Sequence, residues 1–200
     1  AGAIVEGILL GDFQDNRFKG KAEKRPSLEL QFAVRGGYQK AVSAELKRRE
    51  TICNAQNHTR ELVNAPHHVV TPEGLAKHAR SLAKKHKLDC TIYTKSQLVQ
   101  QGFLPTVEVG RGSEYPPRMI VLRYQPSRTR VRDHLCLVDK GITFDTGGLC
   151  IKGRTMHEMN SDMGGAAAVL GTMEAIASLK LPIRVTAVVG AAHNAVDGAA

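Results

Sequence analysis

LCLVDKGITFDTGGLCIKGRTMHEMNSDMGGAAAVLGTMEAIASLKLPIRVTAVVGAA, residues 135–192, is the stretch that decides the fold class. Apolar runs at its two ends, 135–141 and 184–192, predict two buried strands. Between them a helix is predicted over residues 163–179, because apolar residues recur there at helical spacing: Ala166, Val169, Leu170, Met173, Ile176 and Ala177. Near-continuous apolar strands that alternate with helices are typical of a parallel sheet covered on both faces.

The flanking sequence extends the same pattern. Apolar or β-branched runs predict further strands at 27–34, 90–94 and 118–124, and residues 1–26 are expected to form a short apolar helix or strand followed by a polar connector. Helices are predicted over 38–64, 72–86 and, briefly, 96–102; the second has Thr71 as N-cap and Pro72 at its first position. We therefore predict an α/β fold, with a mainly parallel or mixed sheet sandwiched between helices.

Composition excludes several classes of protein. A hydrophobic fraction of 42% is ordinary for a globular domain, and no apolar run approaches the ~20 residues that span a bilayer. The four cysteines are widely spaced, which favours buried, reduced side chains over a zinc finger or a disulfide framework. The net charge of +9 leaves two interpretations open: a solvated surface of scattered basic residues, or contact with nucleic acid.

Four charged residues are the candidates for a functional site. Lys140 lies at the end of a predicted strand, Asp145 and Lys152 lie in the glycine-rich loop after it, and Asp162 immediately precedes the predicted helix. Because ligands bind outside the carboxyl ends of strands in α/β sheets, we expect these side chains to converge on one pocket. The alternatives are plain surface ion pairs and, for Asp162, a helix N-cap.

The residue types favour metal chemistry. Carboxylate oxygens of Asp145 and Asp162 suit a divalent cation, and a lysine can join them only as the neutral amine. A second lysine that stays charged would stabilise negative charge on a substrate oxygen. Together these residues indicate metal-assisted hydrolysis of a carbonyl compound.

The segments VDKGITFDTGG, IK and MNSDMGGAAAVLG resemble the leucyl aminopeptidase (cytosol aminopeptidase) family, and EGILLGDF, RELVNAPHHVVTPEGLA and VGRGSEYPPRMIVLRY extend the likeness over nearly the whole chain. The resemblance implies Lys140, Asp145 and Asp162 as ligands of two zinc or manganese ions, with Asp145 bridging them. Lys152 would be the catalytic lysine that polarises the scissile carbonyl. A bicarbonate ion is implied as general base. Residues 1–37 would connect to an N-terminal domain, and 38–200 would form the first half of the catalytic domain.

The departures from the family pattern are specific. Asp139 stands where the family has glycine, Thr146 where it has serine, and His193 where it has glutamate. The family's NTDAEGR segment, which supplies further metal ligands and an arginine, is not found before Ala200. We therefore expect a portion of a longer protein, and expect the 200-residue chain alone to be inactive.

The resemblance implies a cytoplasmic metalloprotease that removes N-terminal amino acids, with leucine-like preference, from peptides, and that assembles into homo-hexamers. No membrane association is expected. The alternative is a non-catalytic family member that serves as a structural or assembly subunit, with nucleic acid as a further partner. His67 and His68 resemble metal ligands, but adjacent histidines in a loop point in different directions, which argues against that role.

Overall fold

A computed structural model describes residues 2–21, 26, 29–127, 131 and 133–197. The helices are α1 Gly2–Gly11, α2 Gln39–Asn64, α3 Pro72–His86, α4 Lys95–Gln100, α5 Leu104–Val109 and α6 Gly164–Ser178, with a 3-10 helix at Met156–Ser161. The strands are β1 Asp89–Tyr93, β2 Arg118–Tyr124, β3 His134–Asp145 and β4 Arg184–Asn194. No helix within these ranges is long and apolar enough to cross a membrane.

The four strands form one mixed sheet in the order β1-β2-β4-β3. Strand β3 runs parallel to β4, whereas β2 is antiparallel to both of its neighbours, β1 and β4. The α/β fold and the mixed form of the sheet are therefore confirmed, and a mainly parallel sheet is not found. The β3–α6–β4 unit places the carboxyl ends of two parallel strands side by side, and these ends carry the candidate site.

Strand β3 differs from the prediction of a buried strand. It is an edge strand, paired only with β4 within the described residues, and Val138 in its middle is 73% exposed. An apolar run predicts that a segment is extended, but its burial depends on what covers it, and no strand among the described residues pairs with the outer edge of β3. Lys140 accordingly lies within the strand, not at its end.

Helices α3 and α6 cover one face of the sheet. Thr71 caps α3 by accepting a hydrogen bond from the Gly74 amide, as predicted, and Pro72 occupies the first turn. The apolar faces of both helices meet alternate residues of β2 and β4 in the core, which contains Leu75, Ala79, Leu82, Ala83, Ile120, Leu122, Met163, Ala166, Leu170, Met173, Val185, Ala187, Val189 and Ala191. Helix α2 packs on α6, and α1 packs on α2.

Other predictions were wrong or incomplete. Residues 29–34 form no strand, and Ser27 and Leu28 lie outside the described residues. Helix α5 was not predicted, because LPTVEV is too short for a helical period to stand out. All four cysteines are free, but Cys136 on the edge strand and Cys150 in the following loop are exposed, contrary to the prediction of buried side chains.

Candidate functional site

Asp145 is the last residue of β3, and its carboxylate is held by three donors. Its Oδ1 accepts hydrogen bonds from the Gly147 amide at 3.1 Å and from Asn194 Nδ2 at 2.6 Å. Its Oδ2 accepts one from Lys152 Nζ at 2.7 Å. Burial raises the pKa of this carboxyl, but the hydrogen bonds from Lys152 and the other two donors outweigh burial and hold the pKa below its usual value. Asp145 is therefore a carboxylate at neutral pH.

The loop after Asp145 folds back because two glycines adopt positive φ. Gly147 has φ +89° and Gly148 has φ +65°, and a Cβ at position 147 would overlap the carbonyl of Cys150. Lys152 N donates to the Thr146 carbonyl at 2.8 Å, which closes the loop. This turn brings Lys152 back to Asp145, seven residues earlier in the chain, where its Nζ also lies 3.0 Å from Met159 Sδ.

Lys140 and Asp162 form a second pair. Lys140 Nζ lies 2.6 Å from Asp162 Oδ2, and the Asp162 side chain is largely buried. The N-cap of α6 is Met163, without a side-chain hydrogen bond, so Asp162 is not the helix cap that the alternative interpretation required. Asp162 Oδ2 is buried and accepts no hydrogen bond of good geometry from any described residue. Its contact with Lys140 is therefore an ion pair at short distance without a well-aligned hydrogen bond.

The structure therefore joins the four predicted site residues two by two. Lys140 meets Asp162, and Lys152 meets Asp145. No hydrogen bond or ion pair links one pair to the other within the part of the chain that the structure describes. Their convergence on one pocket remains a prediction.

Asp139 faces helix α6 and not the Lys140 ammonium group. Its Oδ1 accepts from the Lys140 backbone amide at 2.8 Å, and a Cβ added at Gly165 would overlap its carboxylate. The first turn of a helix is a favourable place for a negative charge. The aspartate is thus accommodated by the glycine opposite, and its carboxylate forms no ion pair with Lys140 within the described residues.

His193, which replaces the family's glutamate, is buried near the end of β4. Its Nδ1 lies 2.7 Å from Ser113 Oγ, and its Nε2 has no hydrogen-bond partner among the described residues. Burial and the nearby His67 lower the pKa of His193, so the ring is neutral at pH 7. His67 itself stacks on Phe144, with ring centroids 4.5 Å apart, which is a packing role.

Asn194 is the site residue that sequence reasoning missed. It pairs in register with Asp145 across the two parallel strands, and its amide reaches the Asp145 carboxylate. The signal was available, since Asn194 closely follows the apolar run at 184–192 and therefore lies at the carboxyl end of a predicted strand.

The donor set fits part of a metal centre. Two carboxylates and an amine suit a divalent cation, and the buried Asp162 Oδ2 lacks a well-aligned donor. However, no group of three or more His, Cys, Asp or Glu side chains that could hold a metal is present among residues 2–197 as far as they are described. Further ligands would be needed to complete a two-metal centre.

Comparisons with known proteins identify the family. Residues 57–200 match a family model described as the cytosol aminopeptidase family, catalytic domain. A probable cytosol aminopeptidase of Solibacter usitatus (strain Ellin6076) is 43% identical over 195 residues, which is 97% of this chain and 40% of that protein. One of Aquifex aeolicus (strain VF5) is 39% identical over 197 residues, 98% of this chain and 39% of that protein.

Two solved structures show the same fold. The bottromycin maturation enzyme BotP in complex with Mn superposes with a TM-score of 0.86 at 35% identity, covering 100% of this chain and 41% of that one. A mutant of tomato leucine aminopeptidase superposes with a TM-score of 0.83 at 31% identity, covering 99% of this chain and 38% of that one. The chain thus spans about 40% of the length of these relatives. On the match of residues 57–200, this chain belongs to the cytosol aminopeptidase family.

Proposed function

We propose that this chain supplies part of the active site of a metal-dependent aminopeptidase, which removes N-terminal amino acids from peptides in the cytosol. The observation that carries the proposal is the location of two largely buried carboxylates, Asp145 at the carboxyl end of β3 and Asp162 just before α6, each against its own lysine. The names of the relatives support the reaction and the compartment. A manganese complex of a protein that superposes over the whole chain supports a divalent metal.

Each residue has one proposed role. Asp145, Asp162 and the amine of Lys140 would hold the metal, zinc or manganese, which would supply Lewis acidity and activate a water molecule. Lys152 keeps its charge and stabilises the negative charge that develops on the carbonyl oxygen of the scissile peptide bond. Asp139 does not oppose the proposed role of Lys140, because its carboxylate faces α6.

The test is metal content. Asp145→Asn and Asp162→Asn, made in the protein at its natural length, are expected to lower bound zinc and manganese, measured by elemental analysis, while circular dichroism stays near that of the wild type. Asp89→Asn, at an exposed aspartate that begins β1, is the matched control and should keep its metal. Full occupancy in both site variants would support the ion-pair alternative instead.

The candidate site, as far as the structure describes it, holds too few ligands for two metal ions. The described residues place two carboxylates at the candidate site, and a two-metal centre takes more ligands than these. We therefore expect residues 1–200 alone to show no turnover of a leucine amide substrate with added zinc or manganese. The division into a connecting segment, 1–37, and a catalytic portion, 38–200, belongs to the same proposal, as do the bicarbonate and the homo-hexamer implied by resemblance.

A further inference from the structure

We propose that Asn194 is a positioning residue, which orients the Asp145 carboxylate so that its Oδ2 faces a bound cation. The inference rests on the proposed function, in which Asp145 is a metal ligand. Its basis is the 2.6 Å hydrogen bond from Asn194 Nδ2 to Asp145 Oδ1, made between the ends of two parallel strands and joining residues 49 positions apart in the chain.

Asn194 is itself held firmly enough to orient another side chain. Its backbone carbonyl accepts two hydrogen bonds from Thr146, from the amide at 2.8 Å and from the hydroxyl at 2.9 Å. Its side-chain Oδ1 lies beside Gly148, where an added Cβ would be 3.0 Å away. The amide is therefore confined between the turn and Asp145.

The two oxygens of Asp145 consequently have different surroundings. Among the described residues, Oδ1 accepts from the neutral donors of Gly147 and Asn194, whereas Oδ2 meets a positively charged group, the Lys152 ammonium. The neutral donors on Oδ1 fix the plane of the carboxylate, and Oδ2 is the oxygen that meets positive charge. A metal ion at Oδ2 would take the place that the Lys152 ammonium holds in this structure. Hydrogen-bonded partners of ligating carboxylates typically orient them, and their removal costs about 10- to 100-fold in metal affinity.

The experiment measures Mn²⁺ binding to the metal-free protein, at its natural length, by titration calorimetry. Asn194→Leu, which is close in size but has no donor, and Asn194→Ala, which is smaller, are each expected to weaken Mn²⁺ binding by about 10- to 100-fold. Asn57→Leu is the matched control, because Asn57 Nδ2 also donates across elements, to the Leu9 carbonyl at 3.2 Å, but lies on α2 away from the site. It should bind Mn²⁺ like the wild type.

A double-mutant comparison separates positioning from a general structural role. If Asn194 acts through Asp145, Asn194→Ala should cause no further loss of Mn²⁺ affinity in a protein that already carries Asp145→Asn. Additive losses, or wild-type affinity in both single Asn194 variants, would overturn the inference while leaving the proposed function intact. A wild-type protein that binds no Mn²⁺, or an Asp145→Asn variant that binds it as well as the wild type, would overturn the proposed function itself.

Discussion

Two clusters, each made of oppositely charged side chains, differ in the groups that surround their carboxylates. In the candidate site, Asp145 ends β3, Asp162 follows the 3-10 helix, and each meets one lysine. In the helical layer, Glu174 of α6 receives three cationic or ionisable groups from two other helices. His58 Nδ1 of α2 is 2.7 Å away, Lys85 Nζ of α3 is 3.0 Å away, and His86 Nε2 of α3 is 3.5 Å away.

The contacts of the helical cluster join three helices. Glu174 has a side chain only 10% exposed, and its partners come from two helices, so their contacts hold α2 and α3 against α6. In the candidate site the acceptor without a well-aligned donor among the described residues is a carboxylate oxygen, the buried Asp162 Oδ2. The helical cluster thus joins three helices, whereas a ligand-binding role for the charges of the candidate site belongs to the proposed function.

Lys152→Ala should produce the largest effect and the sharpest contrast between the clusters. We expect hydrolysis of a leucine amide by the natural-length protein to fall about 10²- to 10³-fold, with little loss of metal, because the proposed role is electrostatic. Lys85→Ala removes a lysine from the helical cluster and should leave the rate near that of the wild type. Steady-state kinetics and elemental analysis check both variants. Unchanged turnover in Lys152→Ala would remove Lys152 from the mechanism.

Glu174→Gln should reverse that contrast, lowering stability but not turnover. The loss of a buried carboxylate that accepts charged hydrogen bonds is expected to cost about 1–3 kcal/mol in free energy of unfolding, measured by urea denaturation. The cost stays below that of a fully buried pair because Lys85 is 61% exposed and recovers solvation. Stability equal to the wild type would show that the cluster does not tie the helices together.

Acidification should destabilise the helical layer in two steps. The first involves His78 of α3, whose ring interacts electrostatically with Glu174. Burial lowers the pKa of His78 below 6.5, so its contribution is complete above that value and is lost as pH falls through the lowered pKa. Burial raises the pKa of Glu174, but hydrogen bonds from His58 and Lys85 outweigh it, so the pKa lies below 4.5 and stability is lost as pH falls below that value. Urea denaturation from pH 7 to 3 should show both losses. His78→Asn should reduce the first loss, to which the lowered pKa values of His67 and His193 also contribute, and an unchanged profile would contradict this assignment.

Arg111→Ala should have the smallest effect. Arg111 pairs with Glu108 at 3.2 Å on α5 and the following turn, and its side chain is 76% exposed. Exposed pairs of this kind contribute less than about 1 kcal/mol, so we expect a shift in the free energy of unfolding near the error of the measurement. A larger loss would show that the contrast between buried and exposed charge has been overstated.

Local patterns predicted the separate elements well. The cap and first turn of α3 were identified from Thr71 and Pro72, and strands β2 and β4 from their apolar runs. The motif from 138 to 176 identified the family, which the comparisons confirmed. The roles of Lys140, Asp145, Lys152 and Asp162 remain predictions.

Local sequence patterns did not predict which strands pair or which distant side chains meet. The antiparallel placement of β2 between β1 and β4 and the exposure of β3 depend on which strands become neighbours, and apolar runs look alike in either direction. The contact of His193 with Ser113 joins residues 80 positions apart in the chain, so no short motif contains it.

The sequence by itself determined the fold class, the family and the candidate residues, because hydrophobic periodicity and motif spacing are properties of short segments. Only the tertiary structure decided which lysine meets which aspartate, and that Asn194 is the neighbour of Asp145. Those contacts arise from strand register and from the turn at Gly147 and Gly148, which set the distances between groups that are remote in the chain.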